Sequence, residues 1–203
     1  MADLPALDPS SAPDDPYDLF ARWFDDASRH PVSQPEAMTL ATVDADGLPD
    51  ARTVLMRGVD RAGFRFYTNR TSGKGRALAT HPVAALLFHW EPLERQVRIR
   101  GDVTRLSDAD SDAYFAGRPR LSQLGAWASP QSEVMTSRAA LEARVAEAQA
   151  RFGDGPVPRP PHWGGYLVAP RTIEFWQGRV GRLHDRVLYT RDGDRWSRVR
   201  LAP

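Results

Sequence analysis

Three clusters of side chains in this 203-residue chain are of types that could do chemistry together. The first runs from Arg52 to Lys74 as RTVLMRG, a DRAG turn, FRFYTN and RTSGK. It sets cationic, hydroxyl and backbone N–H groups beside apolar strand residues, a combination suited to a ligand with a flat ring and a phosphate tail. Ser72 can cap a helix over 73–80, whose free first-turn N–H groups would favour an anion. The second cluster is Tyr114, Arg118 and Ser122, with Gln131 and Ser132 following. The third is Trp176 with Arg182, Leu183, His184 and Arg186. If Arg182, His184 and Arg186 alternate along one strand they share a face, and cations side by side repel unless an anion or carboxylate lies among them. Two clusters also have a plainer reading. The first is equally a hairpin and a capped helix with solvated cations, and the third has the less favoured alternative of surface arginines paired with Asp185 and Glu174.

No catalytic triad, paired-carboxylate site or metal cluster stands out. His30, His81, His89, His162 and His184 are scattered without the spacing of a helical zinc motif, and no cysteine is present for thiolate ligation or disulfides. Asp25-Asp26 and Asp108/Asp110 read as solvated helix faces. A net charge of +1 argues against a general nucleic-acid binder. With 41% apolar residues and no long apolar run, the chain reads as not spanning a membrane. The absence of cysteine and of a visible secretory leader is compatible with a cytoplasmic protein. Lys74 is the only lysine, so arginine forks are otherwise the tools for holding anions.

The elements that must position these groups follow from periodicity. Residues 1–15 are Pro-, Asp- and Ser-rich and read as a loose or disordered tail, leaving 16–203 as a single domain. Tyr17, Phe20, Trp23 and Phe24 form one helical stripe ending near His30-Pro31. Ala37–Val43 and Ala51–Gly58 read as a hairpin leading into a central one, Arg52–Gly58 with Phe64–Asn69. Val83–Trp90 reads as a strand buried on both faces, and Arg95–Val103 as one with a single core face. Helices are expected after Ser107 and Ser137. Strands are expected at Tyr166–Ala169, Thr172–Gln177, Leu183–Thr190 and Trp196–Leu201. Short antiparallel strands with tight turns point to a mainly β, α+β fold with a closed or partly closed barrel.

The motifs FYTN, ERQVRIRG, SQLGAWASPQS, PRPPHWGGY, IEFWQGR, RLHDR and the terminal RLAP, in that order over about Pro16–Pro203, resemble the pyridoxine (pyridoxamine) 5′-phosphate oxidase family. The resemblance implies a Greek-key type FMN-binding split barrel and a homodimer with FMN at the subunit interface. It implies oxidation of pyridoxine 5′-phosphate and pyridoxamine 5′-phosphate by dioxygen to pyridoxal 5′-phosphate, with hydride transfer to the flavin and release of peroxide. Such an enzyme serves vitamin B6 biosynthesis and salvage.

Carried over by position, the FMN contacts are Arg52, Thr53, Val54, Leu55, Met56, Tyr67, Thr68, Lys74, Gln96, Gln131, Ser132, Trp176 and Arg186. The substrate phosphate site resembles Arg57, Tyr114, Arg118 and Ser122. Arg182, Leu183 and His184 match the segment over the substrate ring, with Arg182 and His184 in the catalytic role. Arg57 stands where the family commonly has lysine. Gly73 replaces a frequent arginine, which would remove one FMN-phosphate contact, and no lid motif is visible in residues 1–15. A split-barrel flavoprotein of other specificity, including a deazaflavin- or FMN-dependent reductase or a phenazine-pathway relative, and a non-enzymatic flavin or pyridoxal phosphate binder are the competing readings.

Overall fold

A computed structural model of the chain describes residues 6–203. Its elements in order are α1 (Pro16–Arg29), β1 (Ala37–Val43), β2 (Pro49–Leu55), β3 (Gly58–Asp60), β4 (Gly63–Asn69), α2 (Gly73–Thr80), β5 (Val83–Trp90), β6 (Arg95–Arg105), α3 (Asp108–Ala116), α4 (Arg120–Ala128), α5 (Arg138–Phe152), β7 (Trp163–Gln177), β8 (Asp185–Asp192) and β9 (Arg195–Arg200). The architecture is mainly β with flanking helices, as the sequence predicts. The nine strands among the described residues form one sheet with the path β2-β1-β5-β6-β7-β4-β3, and β8 and β9 extend from β7.

That path overturns the expected central hairpin. Arg52–Leu55 pairs with β1, whereas only Gly58–Asp60 pairs with β4, so consecutive strands β2 and β3 stand at opposite ends of the path. Two residues join them. Met56 N–H donates to Glu36 O at 2.9 Å on the β1 side, and Arg57 N–H donates to Arg65 O at 2.8 Å on the β4 side. The link therefore stitches the two sheet edges together and curls the sheet into a barrel with a seam.

The barrel interior is filled by alternate residues of the strands and plugged by α1. Phe20 meets Phe64 edge-on at 4.9 Å and Phe88 at 5.3 Å, and Trp23 meets Phe175 at 5.2 Å. β5 buries Ala84, Leu86, Phe88 and Trp90 but leaves Val83 and His89 exposed. It is thus one-sided, a correction to the expectation of burial on both faces: continuous apolar composition alone cannot tell a two-sided strand from a one-sided strand that uses small residues outside. The two strands expected at 166–177 are a single β7 that runs through Pro170, because a bulge opposite Arg100/Gly101 takes up the proline. α4 has no counterpart in the sequence reading, since Pro119 precedes it and no Ser, Thr, Asp or Asn caps it.

Residues 6–15 are not loose. Leu7 is buried in the main core, Tyr189 Oη donates to Pro13 O at 2.8 Å, and Arg198 Nε donates to Pro9 O at 2.5 Å. Polar composition hid one anchoring leucine and a set of backbone acceptors for arginines of β9; residues 1–5 of the expected tail lie outside the described residues. Asp26 is also more than a solvated face. It accepts from Arg95 Nη1 at 2.8 Å, and Arg95 is buried over the Trp23 ring with Nε donating to Gln177 Oε1 at 2.9 Å. The hydrogen bond from Arg95, opposed by burial, holds the Asp26 carboxyl below its usual range.

Asp26→Asn should lower the unfolding free energy by about 1–2 kcal/mol, because it weakens the charged partner of a buried guanidinium. Asp25→Asn, whose partner Arg29 is exposed, should stay within about 0.5 kcal/mol. Urea denaturation of the two variants side by side checks this.

Candidate functional site

A cavity of about 870 Å³ opens at the barrel seam. β2 supplies Arg52, Thr53, Val54 and Leu55 and the link supplies Arg57. β4 supplies Tyr67 and Thr68, α2 supplies Lys74, and the far wall is Tyr114, Arg118, Ser122, Gln131 and Trp163. The seam gathers the first two sequence clusters although they are not one hairpin.

One end of the cavity is built on the start of α2. Asn69 Oδ1 accepts from Thr71 N–H at 2.7 Å and turns the chain, and Ser72 Oγ accepts the first-turn N–H of Gly75 at 3.4 Å. A Cβ on Gly75 would lie 2.2 Å from Arg70 O, so only glycine lets this turn pack so closely. Lys74 Nζ points inward, donating to Ser72 Oγ at 3.4 Å and Gln131 Oε1 at 3.3 Å. Gln131 Oε1 also accepts from Thr68 Oγ1 at 3.1 Å. Burial, with Arg52 nearby, pushes the Lys74 pKa down, and Asp50 counters only in part. A buried ammonium held by neutral oxygens and facing a second cation is a group that lacks its anion.

The other end repeats the situation with different residues. Arg118 lies 4.7 Å over the Trp163 ring, and its Nη1 is buried without a hydrogen-bond partner. Burial depresses its pKa, Tyr114 acts in the opposite sense, and Arg57 adds to the depression. Between the ends stand three nearly parallel rings: Tyr67 and Tyr114 stack at 3.8 Å and 8°, and Trp163 lies 5.6 Å from Tyr67 at 11°. Tyr67 pairs with Gly165 across β4–β7, and a Cβ there would stand 2.7 Å from the Tyr67 ring. The glycine is what lets the ring lie flat. Trp163 was not singled out from the sequence. Its place two residues before a glycine that faces Tyr67 on the same strand face is the signal that would have found it.

The remaining expected site residues divide. Met56 turns into the core, and Ser132, beside Gln131, adopts a positive φ of 74° outside the cavity lining. Gln96, Trp176 and Arg186 lie in register across β6, β7 and β8, away from the seam, and Arg186 Nε donates to the buried Glu174 at 2.9 Å. Arg182, Leu183 and His184 do not share a strand face with Arg186. Arg182 sits in a short 3-10 turn with φ 62°, because Gly181 at φ 69° breaks the extended path, and β8 starts only at Asp185. His184 stacks on Trp176 at 4.5 Å, and its Nδ1 accepts from Arg179 N–H at 3.1 Å, so its neutral form carries the proton on Nε2. The expected site residues therefore fall into two separate groups in one chain, those of the seam cavity and those of the Trp176–His184 patch.

A family model described as pyridoxamine 5′-phosphate oxidase matches residues 24–152, and one described as the pyridoxine 5′-phosphate oxidase C-terminal dimerisation region matches 163–203. A pyridoxine/pyridoxamine 5′-phosphate oxidase of Azorhizobium caulinodans is 57% identical over 195 residues, covering 95% of this chain and 92% of that protein. One of Thermosynechococcus vestitus is 58% identical over 194 residues, covering 96% and 92%. Among solved structures, PhzG from Burkholderia lata 383, in complex with tetrahydrophenazine-1-carboxylic acid, superposes with a TM-score of 0.92 at 34% identity, covering 99% of this chain and 98% of that one. A pyridoxamine 5′-phosphate oxidase-related, FMN-binding protein of Nostoc punctiforme shares the fold, with a TM-score of 0.73 at 22% identity and coverage of 93% and 98%.

An anion at Lys74 would raise its depressed pKa, so binding is accompanied by proton uptake at pH values above the free-state pKa. FMN affinity should then fall as pH rises through the alkaline range below the ordinary lysine value of 10.5, and Lys74→Met should flatten that dependence; fluorescence titration of FMN across pH measures both. Gly73 has room for a side chain, its nearest neighbour being Ser132 Oγ at 3.7 Å from a modest Cβ. Gly73→Arg should tighten FMN about tenfold by adding a charge-assisted contact, and an unchanged dissociation constant would count against a missing contact there.

Proposed function

The chain belongs to the pyridoxamine 5′-phosphate oxidase family, and on that premise we propose that it oxidises pyridoxine 5′-phosphate and pyridoxamine 5′-phosphate to pyridoxal 5′-phosphate. FMN is the family's cofactor, the chain is an oxidase, and its C-terminal region is a dimerisation region. The observation that carries the substrate reading is that one cavity holds two cations, Lys74 and Arg118, with no carboxylate partner among the described residues. Lys74 with Arg52 suits the phosphate of the cofactor, and Arg118 with Arg57 suits a second phosphate, that of the substrate. Relatives named for this activity are 57–58% identical to the chain, against 34% for the phenazine-bound neighbour, which supports the same reading.

Bound FMN supplies the two-electron acceptor that dioxygen reoxidises to give peroxide. With the alcohol, a hydride and a proton leave the 4′ carbinol and one dioxygen becomes one hydrogen peroxide. With the amine, a water also enters and ammonia leaves. The protein orients and balances charge. Arg52, Thr53, Val54, Leu55, Tyr67, Thr68, Lys74 and Gln131 hold the cofactor on the seam side, while Arg57, Tyr114, Arg118 and Ser122 hold the substrate phosphate. Trp176, Gln96 and Arg186 of a second copy close the flavin pocket at the subunit interface, with that copy's Arg182, Leu183 and His184 over the substrate ring. The separation of the two residue groups within one chain supports this arrangement, as does the one-sided burial of β5. His184, with Nδ1 occupied by Arg179 N–H, offers Nε2–H as a donor. A cytoplasmic setting is compatible with the absence of cysteine.

Oxygen consumption and pyridoxal phosphate formation should appear with both phosphorylated substrates and fall steeply with unphosphorylated pyridoxine. Arg118→Ala should raise the substrate KM about ten- to a hundredfold with FMN retained. Arg182→Ala should damage turnover far more than FMN retention. Turnover confined to a tetrahydrophenazine carboxylate would move the assignment to the phenazine reading, and tight ligand binding without peroxide would make the protein a binder.

A further inference from the structure

Asp185 receives more hydrogen bonds than a strand-end carboxylate needs. It stands one residue after His184, at the point where the 178–184 loop enters β8. Its Oδ2 accepts from Arg179 Nε at 2.8 Å and from Leu7 N–H at 3.2 Å, and its Oδ1 accepts from Arg200 Nη1 at 3.0 Å. Burial alone would raise its pKa, yet these donors outweigh it and hold the carboxyl below the usual range. The partners come from three places: the loop itself, the last strand, and the start of the chain 178 residues away.

The middle of the loop is open to solvent. Val180 and Leu183 are exposed, and Gly181 and Arg182 both have positive φ, a conformation that strains a non-glycine residue. Its fixed points are Gly178 N–H on Glu94 O at 2.7 Å, the His184 ring on Trp176, and the Arg179–Asp185 pair. Behind that pair lies the N-terminal segment. Leu7 is buried in the core, Arg200 Nη2 donates to Leu7 O at 3.2 Å and to Asp8 Oδ2 at 2.7 Å, and Arg198 clasps Pro9 O.

We propose that Asp185 is a positioning residue for the loop that carries Arg182 and His184, and that residues 7–9 are a strap whose docking fixes Asp185. The strap reaches the loop through Asp185, which accepts from Leu7 N–H and from Arg200, itself bonded to Leu7 O and Asp8. Releasing either element removes the Asp185 anchor beside Arg179, whose backbone N–H sets the His184 tautomer. The catalytic consequence rests on the function proposed above; the mechanical coupling does not.

The test uses the FMN-loaded, full-length protein with Asp185→Asn, a chain lacking residues 2–8, and the two changes combined. Hydrogen–deuterium exchange at amides 179–184 should accelerate in each, and the substrate KM should rise about tenfold, the scale of one charge-assisted hydrogen bond. FMN affinity should stay within about twofold, and the combined variant should be no worse than the single ones because both act on one hub. Asp185→Glu should recover part of the loss. Unchanged loop exchange, or a lower melting temperature with unchanged KM, overturns the proposal. Should Asp185→Asn fail to fold, the truncated chain and Asp8→Asn decide it by the same readouts. If the wild-type protein turns over neither phosphorylated substrate, the function assignment fails while loop exchange still decides the strap.

Discussion

A connection of two residues governs the architecture. β2 ends at Leu55 and β3 begins at Gly58, so three Cα steps, spanning at most about 10 Å, must carry the chain from one end of the sheet path to the other. A flat sheet would hold those edges several strand spacings apart. The sheet has no choice but to curl, and the aromatic plug from α1 then fills the space that curling creates. The same shortness leaves the edges bridged by backbone hydrogen bonds at Met56 and Arg57 but not zipped along their length, and the cavity occupies that gap. Ligand site and barrel closure have a single cause.

Charge marks which part of the gap binds what. Most arginines that reach into the protein are answered by an acid: Arg95 by Asp26, Arg186 by Glu174, Arg159 by Asp108 and Asp112. Lys74 and Arg118 are answered by neutral groups and by further cations. Desolvating an unpaired charge costs several kcal/mol, so two such groups in one cavity are a standing cost that bound anions remove. The rings between them suit flat ligands, and the two cationic ends suit two separate anionic groups.

Much of this was legible in the sequence, for identifiable reasons. Period-two alternation located β6, capping serines located α2, α3 and α5, and the clustering of Arg, Lys and hydroxyl groups located the residues now found around the cavity. What failed was pairing. The sequence reading pairs the 51–58 run with strands on both sides; the pairing with Ala37–Val43 holds, and nothing local shows that the run breaks at Met56 so that only Gly58–Asp60 meets β4. The Arg182–Arg186 alternation failed because one glycine at positive φ ended the extended geometry. Leu7 was lost in a polar stretch, and its significance depends on arginines of β9 almost two hundred residues away.

The solitary lysine has a practical side. Apart from the chain's own α-amine, the protein offers reagents a single primary amine, and it lies inside the seam cavity beside Gln131 with a pKa already depressed by its surroundings. Amine-selective chemistry, which on most proteins decorates the surface at random, becomes here a site-directed stain: acylation at mildly alkaline pH reaches Lys74 through the seam or not at all. A bound phosphate at that position shields it, and the fraction of chains modified then counts the fraction of empty sites.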